Sequence, residues 1–323
     1  MSKTPDSASS PDTTATAPCP IAPAARGKKL FCFGYGYTAA ALSNVLRRYD
    51  WDISGTTTDP DKRAQMAADG IHAELFEPTR HLPDPFGSFR GVTHVLLSIP
   101  PTRSGDPAFE AHAHDLLECG TIEWAGYLST TAVYGNHDGG WIDESTPLAP
   151  TSQRGSQRER AEEQWQSLAM NEDFPLHIFR LAGIYGPGRS ALDTVRSGTA
   201  RRIDKPGHVF NRIHVDDIVQ TLIASINQPK PGGIYNLADD YPSTSHEVIS
   251  FACNLLGICP PPMIPYEQAD VAPMVRSFYS DNKRVKNDRI KQELGVSLLY
   301  PDYRAGLQAC LETDDETSLL LEG

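Results

Sequence analysis

Apolar residues in this chain fall in short blocks separated by amphipathic stretches. The first block, Leu30-Phe31-Cys32-Phe33, is continuous rather than alternating and is ended by Gly34, which predicts a strand buried on both faces. Similar blocks follow at 51–56, 71–75, 94–99, 124–129 and 176–181, and a short one returns at 234–236. Helical spacing separates several of them, at 39–46, 108–118 and 158–168. Strands alternating with helices imply a parallel sheet covered on both faces, a doubly wound α/β fold. The pattern loosens after the turn residues Gly186-Pro187-Gly188, and further helices are predicted at 216–226, 243–256 and 285–294.

This organisation divides the chain. Residues 1–28 are rich in Ser, Thr, Pro and Ala without periodicity and are expected to be a disordered tail. Residues 29–185 form the main sheet domain, which the strand at 234–236 rejoins, and 186–312 form mainly a smaller C-terminal substrate lobe. Residues 313–323, acidic and then apolar, are expected to be a second tail. A ligand cleft should lie between sheet and lobe.

Charge narrows the partners. With 41 Asp and Glu against 29 Lys and Arg, the formal charge is -12, which disfavours nucleic acid as a partner. The six cysteines show neither C-x-x-C nor zinc-ligand spacing, so no metal site is expected and they read as buried thiols in a reducing compartment. No apolar run has the length of a membrane span, and Met1 to Ser10 carry no apolar leader, so a cytoplasmic protein is expected.

The chemistry begins at Gly34-Tyr35-Gly36-Tyr37-Thr38-Ala39, a G-x-G-x-x-A loop between a strand and a helix. The first glycine allows the tight turn and the second lets backbone approach a pyrophosphate. The small sixth residue lets helix and strand pack closely. Amides at the helix start then face the phosphates. This predicts a Rossmann dinucleotide-binding domain holding a nicotinamide cofactor, with Gly34, Tyr35, Gly36, Tyr37 and Thr38 in the loop and Ser98 beside them. An acid at the end of the second strand would favour NAD. The stretch there is Ser54-Gly55-Thr56-Thr57-Thr58, with Asp59 after it and Lys62 and Arg63 close by. Thr57 and Thr58 with these cations suit the 2′-phosphate of NADP, so NADP is preferred over NAD.

Four further strings share a resemblance. Leu128-Ser129-Thr130-Thr131-Ala132-Val133-Tyr134-Gly135, Arg180 to Arg189, Arg212 to Ile218 and Tyr235 to Asp240 stand in the order and spacing of known motifs. With them the chain resembles the extended short-chain dehydrogenase/reductases, the nucleotide-sugar epimerases and dehydratases. The resemblance implies that a Ser or Thr orients substrate, here Thr130, and that a Tyr activated by a Lys four residues later moves the proton. After Pro150 the sequence instead places Arg154 at the Tyr position and Arg158 at the Lys position. A guanidinium cannot serve as a base. The chain therefore resembles an atypical subgroup lacking the Tyr-x-x-x-Lys dyad, with Arg158 left to hold the cofactor and Arg154 to bind an anionic substrate group.

Substitute proton donors are sought in loops near the strand ends, where Tyr134, Tyr185 and His137 fall. Arg180, Arg189 and Arg212 are candidates for an anionic substrate, and His214 reads as a core histidine. Two functions remain open. One is an NAD(P)-dependent oxidoreductase or epimerase acting on a carbonyl or hydroxyl of a small or nucleotide-linked substrate. The other is a non-catalytic NADP(H)-binding sensor. The resemblance also makes a homodimer possible.

Overall fold

The computed structural model describes residues 20–321. Residues 1–19, most of the expected N-terminal tail, lie outside the described residues, as does Cys19.

The chain starts with β1 (Lys29–Phe33), α1 (Tyr37–Arg47), β2 (Asp52–Thr57), α2 (Pro60–Ala68), β3 (His72–Leu75), a single turn α3 (Pro85–Ser88), β4 (His94–Leu97), α4 (Pro107–Cys119) and β5 (Trp124–Thr130). A short 3-10 turn at Thr131–Tyr134 precedes β6 (Trp141–Ile142), α5 (Gln153–Glu172) and β7 (Leu176–Leu181). Then come β8 (Gly183–Tyr185), α6 (Ala191–Arg196), β9 (Arg202–Asp204), β10 (Arg212–His214), α7 (Val215–Asn227) and β11 (Ile234–Leu237). The chain closes with α8 (Ser245–Leu255), β12 (Met263–Pro265), α9 (Pro273–Phe278), β13 (Arg284–Val285), α10 (Asp288–Leu294) and α11 (Tyr303–Leu321).

Seven strands form one parallel sheet in the order β11-β7-β5-β4-β1-β2-β3. The order reverses between β1 and β4, which puts the switch point, where ligands bind in such sheets, at the carboxyl ends of these two strands. Phe31 and Phe33 point to one face and Leu30 and Cys32 to the other, each into a separate apolar layer. This is why the β1 block is continuous. A third apolar cluster, around Leu192, Val195, Val248, Ala252, Tyr303 and Leu307, is the core of the C-terminal lobe.

Several features depart from the sequence expectation. Helix α2 buries Met66 alone and so has no apolar stripe, although Asp59 and Pro60 mark its start as cap and first residue. Helix α5 begins at Gln153, five residues earlier than its apolar pattern suggests, because Ser152 caps it by accepting from the Gly155 amide. Residues 20–27, assigned to a disordered tail, are held against the body. The Ala24 amide donates to Asn227 Oδ1, Asn227 Nδ2 donates to Ala22 O, and the Trp51 indole donates to Ala25 O. The C-terminal end differs as well. Helix α11 runs to Leu321, through most of the segment 313–323 expected to be a tail, of which 322–323 lie outside the described residues, and Tyr303, Leu307 and Cys310, spaced to share one face, dock it on the lobe.

Candidate active site

The glycine loop lies at the carboxyl end of β1, and its shape follows from its residues. Gly34 has φ of +85°, and a Cβ there would stand 2.9 Å from Ile99 Cγ1. Its amide donates to Thr56 Oγ1 at 2.9 Å, the Tyr35 amide donates to Thr56 O at 2.7 Å, and Ser98 Oγ donates to Gly34 O at 2.5 Å. Ser98 thus braces the loop backbone. Gly36 differs from Gly34, because a Cβ added to it would meet nothing within 4 Å. That open face is where a diphosphate would come against the backbone. No side chain caps the first amides of α1, and no acidic residue stands in its first turn. Ala39 is fully buried behind them. The residues present fit a dinucleotide diphosphate.

The loop side chains point elsewhere. Tyr35 and Thr38 are both buried, which leaves mainly their backbone to a ligand. Tyr37 reaches across to the lobe, where its hydroxyl donates to Pro187 O at 2.9 Å and Arg189 stacks over its ring at 5.6 Å. Burial pushes the Tyr37 phenol up to about 12.

At the end of β2, Thr57 is buried and its hydroxyl accepts from the Asp59 amide, while Thr58 is exposed. Asp59 accepts from the amides of Asp61 and Lys62 and is committed to capping α2. Lys62 and Arg63 are exposed and make no ion pair among the described residues.

Thr130 ends β5, and its Oγ1 accepts from the Ala132 amide at 3.2 Å. Next to it a buried polar network crosses the sheet. Glu162 on α5 pairs with Arg180 on β7, with Nη2 2.7 Å from Oε2, and accepts from Ser129 Oγ at 2.5 Å. Arg180 Nη1 donates to the Tyr134 hydroxyl at 2.8 Å, and that hydroxyl donates to Asn236 Oδ1 at 2.7 Å. Tyr134 is fully buried and burial raises its pKa, so the structure places it in the core rather than facing a substrate. Arg180 likewise sits inside the protein, paired to Glu162, and not at a substrate surface. Sequence reasoning missed Glu162, although an acid one helical turn beyond Arg158 on the same face was a readable signal.

On that face of α5, Arg154, Arg158 and Glu162 run from solvent to core. Arg154 is exposed and makes no ion pair among the described residues. Arg158 is half-buried, with Nη1 donating to Leu128 O at 2.8 Å and to the Tyr127 hydroxyl at 3.1 Å. It grips β5 and therefore fixes how α5 sits beside Thr130. A Cβ on Gly155 would stand 2.9 Å from Ala132 O, so the helix start has no room to shift register.

Tyr185, Arg189 and Arg212 come together elsewhere, in a pocket of about 190 Å³ between α6, α8 and α11. Tyr185 is 7% exposed, its hydroxyl donates to Asp302 O at 3.4 Å, and burial drives its pKa upward. It is poorly suited to release a proton. His137 Nε2 lies 3.1 Å from Tyr134 O. His214 is a core residue whose Nδ1 accepts from the Asp216 amide, starting α7, and burial holds its pKa down at about 4. A larger groove of about 430 Å³, lined by Phe109, Arg160, Gln164 and Leu168, runs along the flanks of α4 and α5 and includes none of the predicted site residues. No helix among the described residues is long and apolar enough to cross a membrane.

Residues 116–238 match the profile of the NAD dependent epimerase/dehydratase family. Protein YeeZ of Escherichia coli strain K12 is 25% identical over 285 residues, which cover 85% of this chain and 97% of YeeZ. A functionally unknown conserved protein from Silicibacter pomeroyi DSS superposes with a TM-score of 0.82 at 49% identity, covering 88% of this chain and 99% of that one. The dTDP-glucose 4,6-dehydratase from Bacillus anthracis str. Ames, solved in complex with NAD, has the same fold, with a TM-score of 0.70 at 18% identity over 90% of this chain and 97% of its own. The glycine loop thus stands at the switch point of a seven-stranded parallel sheet, and residues 116–238 of the same chain match the NAD dependent epimerase/dehydratase family.

Proposed function

We propose that this protein is an NADP(H)-dependent oxidoreductase that acts on a carbonyl or hydroxyl of a small or nucleotide-linked substrate. One observation carries the reading: Gly36 opens onto free space directly before the uncapped amides of α1, at the point where strand order reverses. The bound nicotinamide would supply or accept a hydride. The loop amides hold the diphosphate. Thr57, Thr58, Lys62 and Arg63 receive the 2′-phosphate, while Asp59 is engaged in capping α2 and leaves a ribose 2′-hydroxyl without its usual carboxylate partner. Thr130 keeps a hydroxyl proton for the substrate oxygen while its lone pair holds the Ala132 amide. Arg154 binds an anionic group of the substrate. Arg158 shapes the site from the β5 side, with its Nη1 on Leu128 O, and adds positive charge near the cofactor. Neither guanidinium moves a proton, so water supplies it, at a cost in rate.

A second reading, an NADP(H) sensor without turnover, is favoured by the confinement of Tyr134 to the Arg180–Glu162 network. Pure protein incubated with NADPH and a panel of aldehydes, ketones and nucleotide sugars, followed by nicotinamide absorbance, separates the two. Turnover lost on Thr130→Val supports the enzyme. Tight NADPH binding with no turnover across the panel supports the sensor, and absence of any pyridine-nucleotide binding overturns both.

A further inference from the structure

We propose that the pocket between α6, α8 and α11 binds a small organic anion, and that its occupancy is coupled to the cofactor loop through Arg189 and Tyr37.

The sign of the charge comes first. Arg189 and Arg212 both line the pocket, and none of the other lining residues is acidic. Arg189 is exposed and makes no ion pair among the described residues. Arg212 is half-buried, with Nη1 on Ser243 Oγ at 2.7 Å. Asp239 acts on it electrostatically but forms no ion pair with it, and does not line the pocket. Two guanidiniums without a carboxylate partner favour an anion, and their planar forks suit a carboxylate or phosphate.

Size and lining set the rest of the ligand. The floor is Val248, Ile249 and Leu307, with the Tyr303 ring beside them. At about 190 Å³ the pocket is smaller than the roughly 300–1,000 Å³ of sites for drug-sized ligands. It fits a short acid or a phosphate monoester with a small apolar tail better than a nucleoside diphosphate. The coupling rests on the proposed function, because it needs a nucleotide at the glycine loop, whereas the binding itself does not.

The coupling is structural. Arg189 belongs to the turn in which the amides of Gly186 and Arg189 exchange hydrogen bonds with each other's carbonyls. A Cβ on Gly186 would stand 2.5 Å from the Tyr37 hydroxyl, which is bonded to Pro187 O. An anion that draws Arg189 off the Tyr37 ring therefore acts on the first residue of α1. Linkage makes the effect reciprocal.

The test is calorimetry on the full chain with inorganic phosphate, phenyl phosphate, butyrate and UDP, each with and without saturating NADPH. Phenyl phosphate or butyrate should bind at least tenfold more tightly than inorganic phosphate, and the tighter of the two identifies the head group. UDP should bind no better than inorganic phosphate. Arg189→Gln, at an exposed position, should weaken binding at least tenfold; Arg212→Gln should do the same if it folds. NADPH should change the anion affinity at least threefold, and the anion should change NADPH affinity by the same factor. Failure of every small anion while NADPH still binds overturns the site, as does UDP binding most tightly or an unchanged affinity in Arg189→Gln. Anion binding indifferent to NADPH overturns the coupling. Loss of NADPH binding with intact anion binding overturns the proposed function and leaves the site standing.

Discussion

Arg180 and Glu162 face each other inside the protein, with Nη2 2.7 Å from Oε2 and both side chains almost fully buried. The pair joins β7 to α5 beside Ser129, the neighbour of Thr130, and through Tyr134 it also reaches Asn236 on β11. A buried pair of this kind contributes mainly by keeping both charges satisfied.

Glu162→Ala should therefore cost about 3–5 kcal/mol, because it leaves the Arg180 guanidinium buried without a counter-charge. Replacing both partners, as in Glu162→Leu with Arg180→Met, should recover most of that loss. Urea denaturation of the single and double variants measures both effects, and equal losses in the two would show that the pairing is not what matters.

Tyr134→Phe removes the bonds to Asn236 and Arg180 and leaves buried polar groups unpaired. A loss of about 1–3 kcal/mol is expected, with NADPH affinity unchanged. Unaltered stability together with abolished turnover would instead make Tyr134 the proton donor.

The two loop glycines should separate stability from binding. In Gly36→Val the new side chain enters open space, so the melting temperature should stay close to wild type while NADP(H) affinity falls at least tenfold. In Gly34→Ala the positive φ and the nearby Ile99 should cost about 1–2 kcal/mol of stability. Thermal unfolding and nucleotide titration of both variants check this.

Cofactor choice should follow the cations after β2. Removing both in Lys62→Ala with Arg63→Ala should weaken NADPH at least tenfold and leave NADH nearly unchanged. An equal change in both affinities would place the 2′-phosphate elsewhere.

The pH dependence of stability has a sign that can be worked out. Burial holds His94, His177, His208 and His214 at about 4, so their cost in stability appears only as pH falls below their unfolded value of 6.5. Burial raises Asp106 and Asp217 to about 6 and Asp239 to about 8. Each raised carboxyl is most favourable below its unfolded pKa and loses that contribution as pH rises through its folded value. Between pH 6.5 and 8, Asp239 alone of these groups still titrates. Stability should fall across that window by at most about 1.4 kcal/mol per pH unit, and Asp239→Asn should flatten it. Denaturant titrations at a series of pH values provide the measurement.

Local pattern was enough to read the sheet. A continuous apolar block such as Leu30 to Phe33 has one physical explanation, burial on both faces, and a glycine-spaced bend before a helix creates its own phosphate-facing amides whatever surrounds it. Those features depend on neighbours in the chain, so the seven strands of the main sheet, the cofactor loop and the absence of Tyr and Lys at 154 and 158 could be read from the residues, whereas α2, with no apolar stripe, could not. Tertiary structure decided which polar residues face a ligand. Tyr134 and Arg180 sit in motifs that look exposed, yet Glu162 and Asn236, distant in sequence, draw them into the core. Arg189 and Arg212 share one pocket with Tyr303 only because α6, α8 and α11 pack together. A side chain's partners are chosen across hundreds of residues by packing, and no periodicity within the chain encodes that choice.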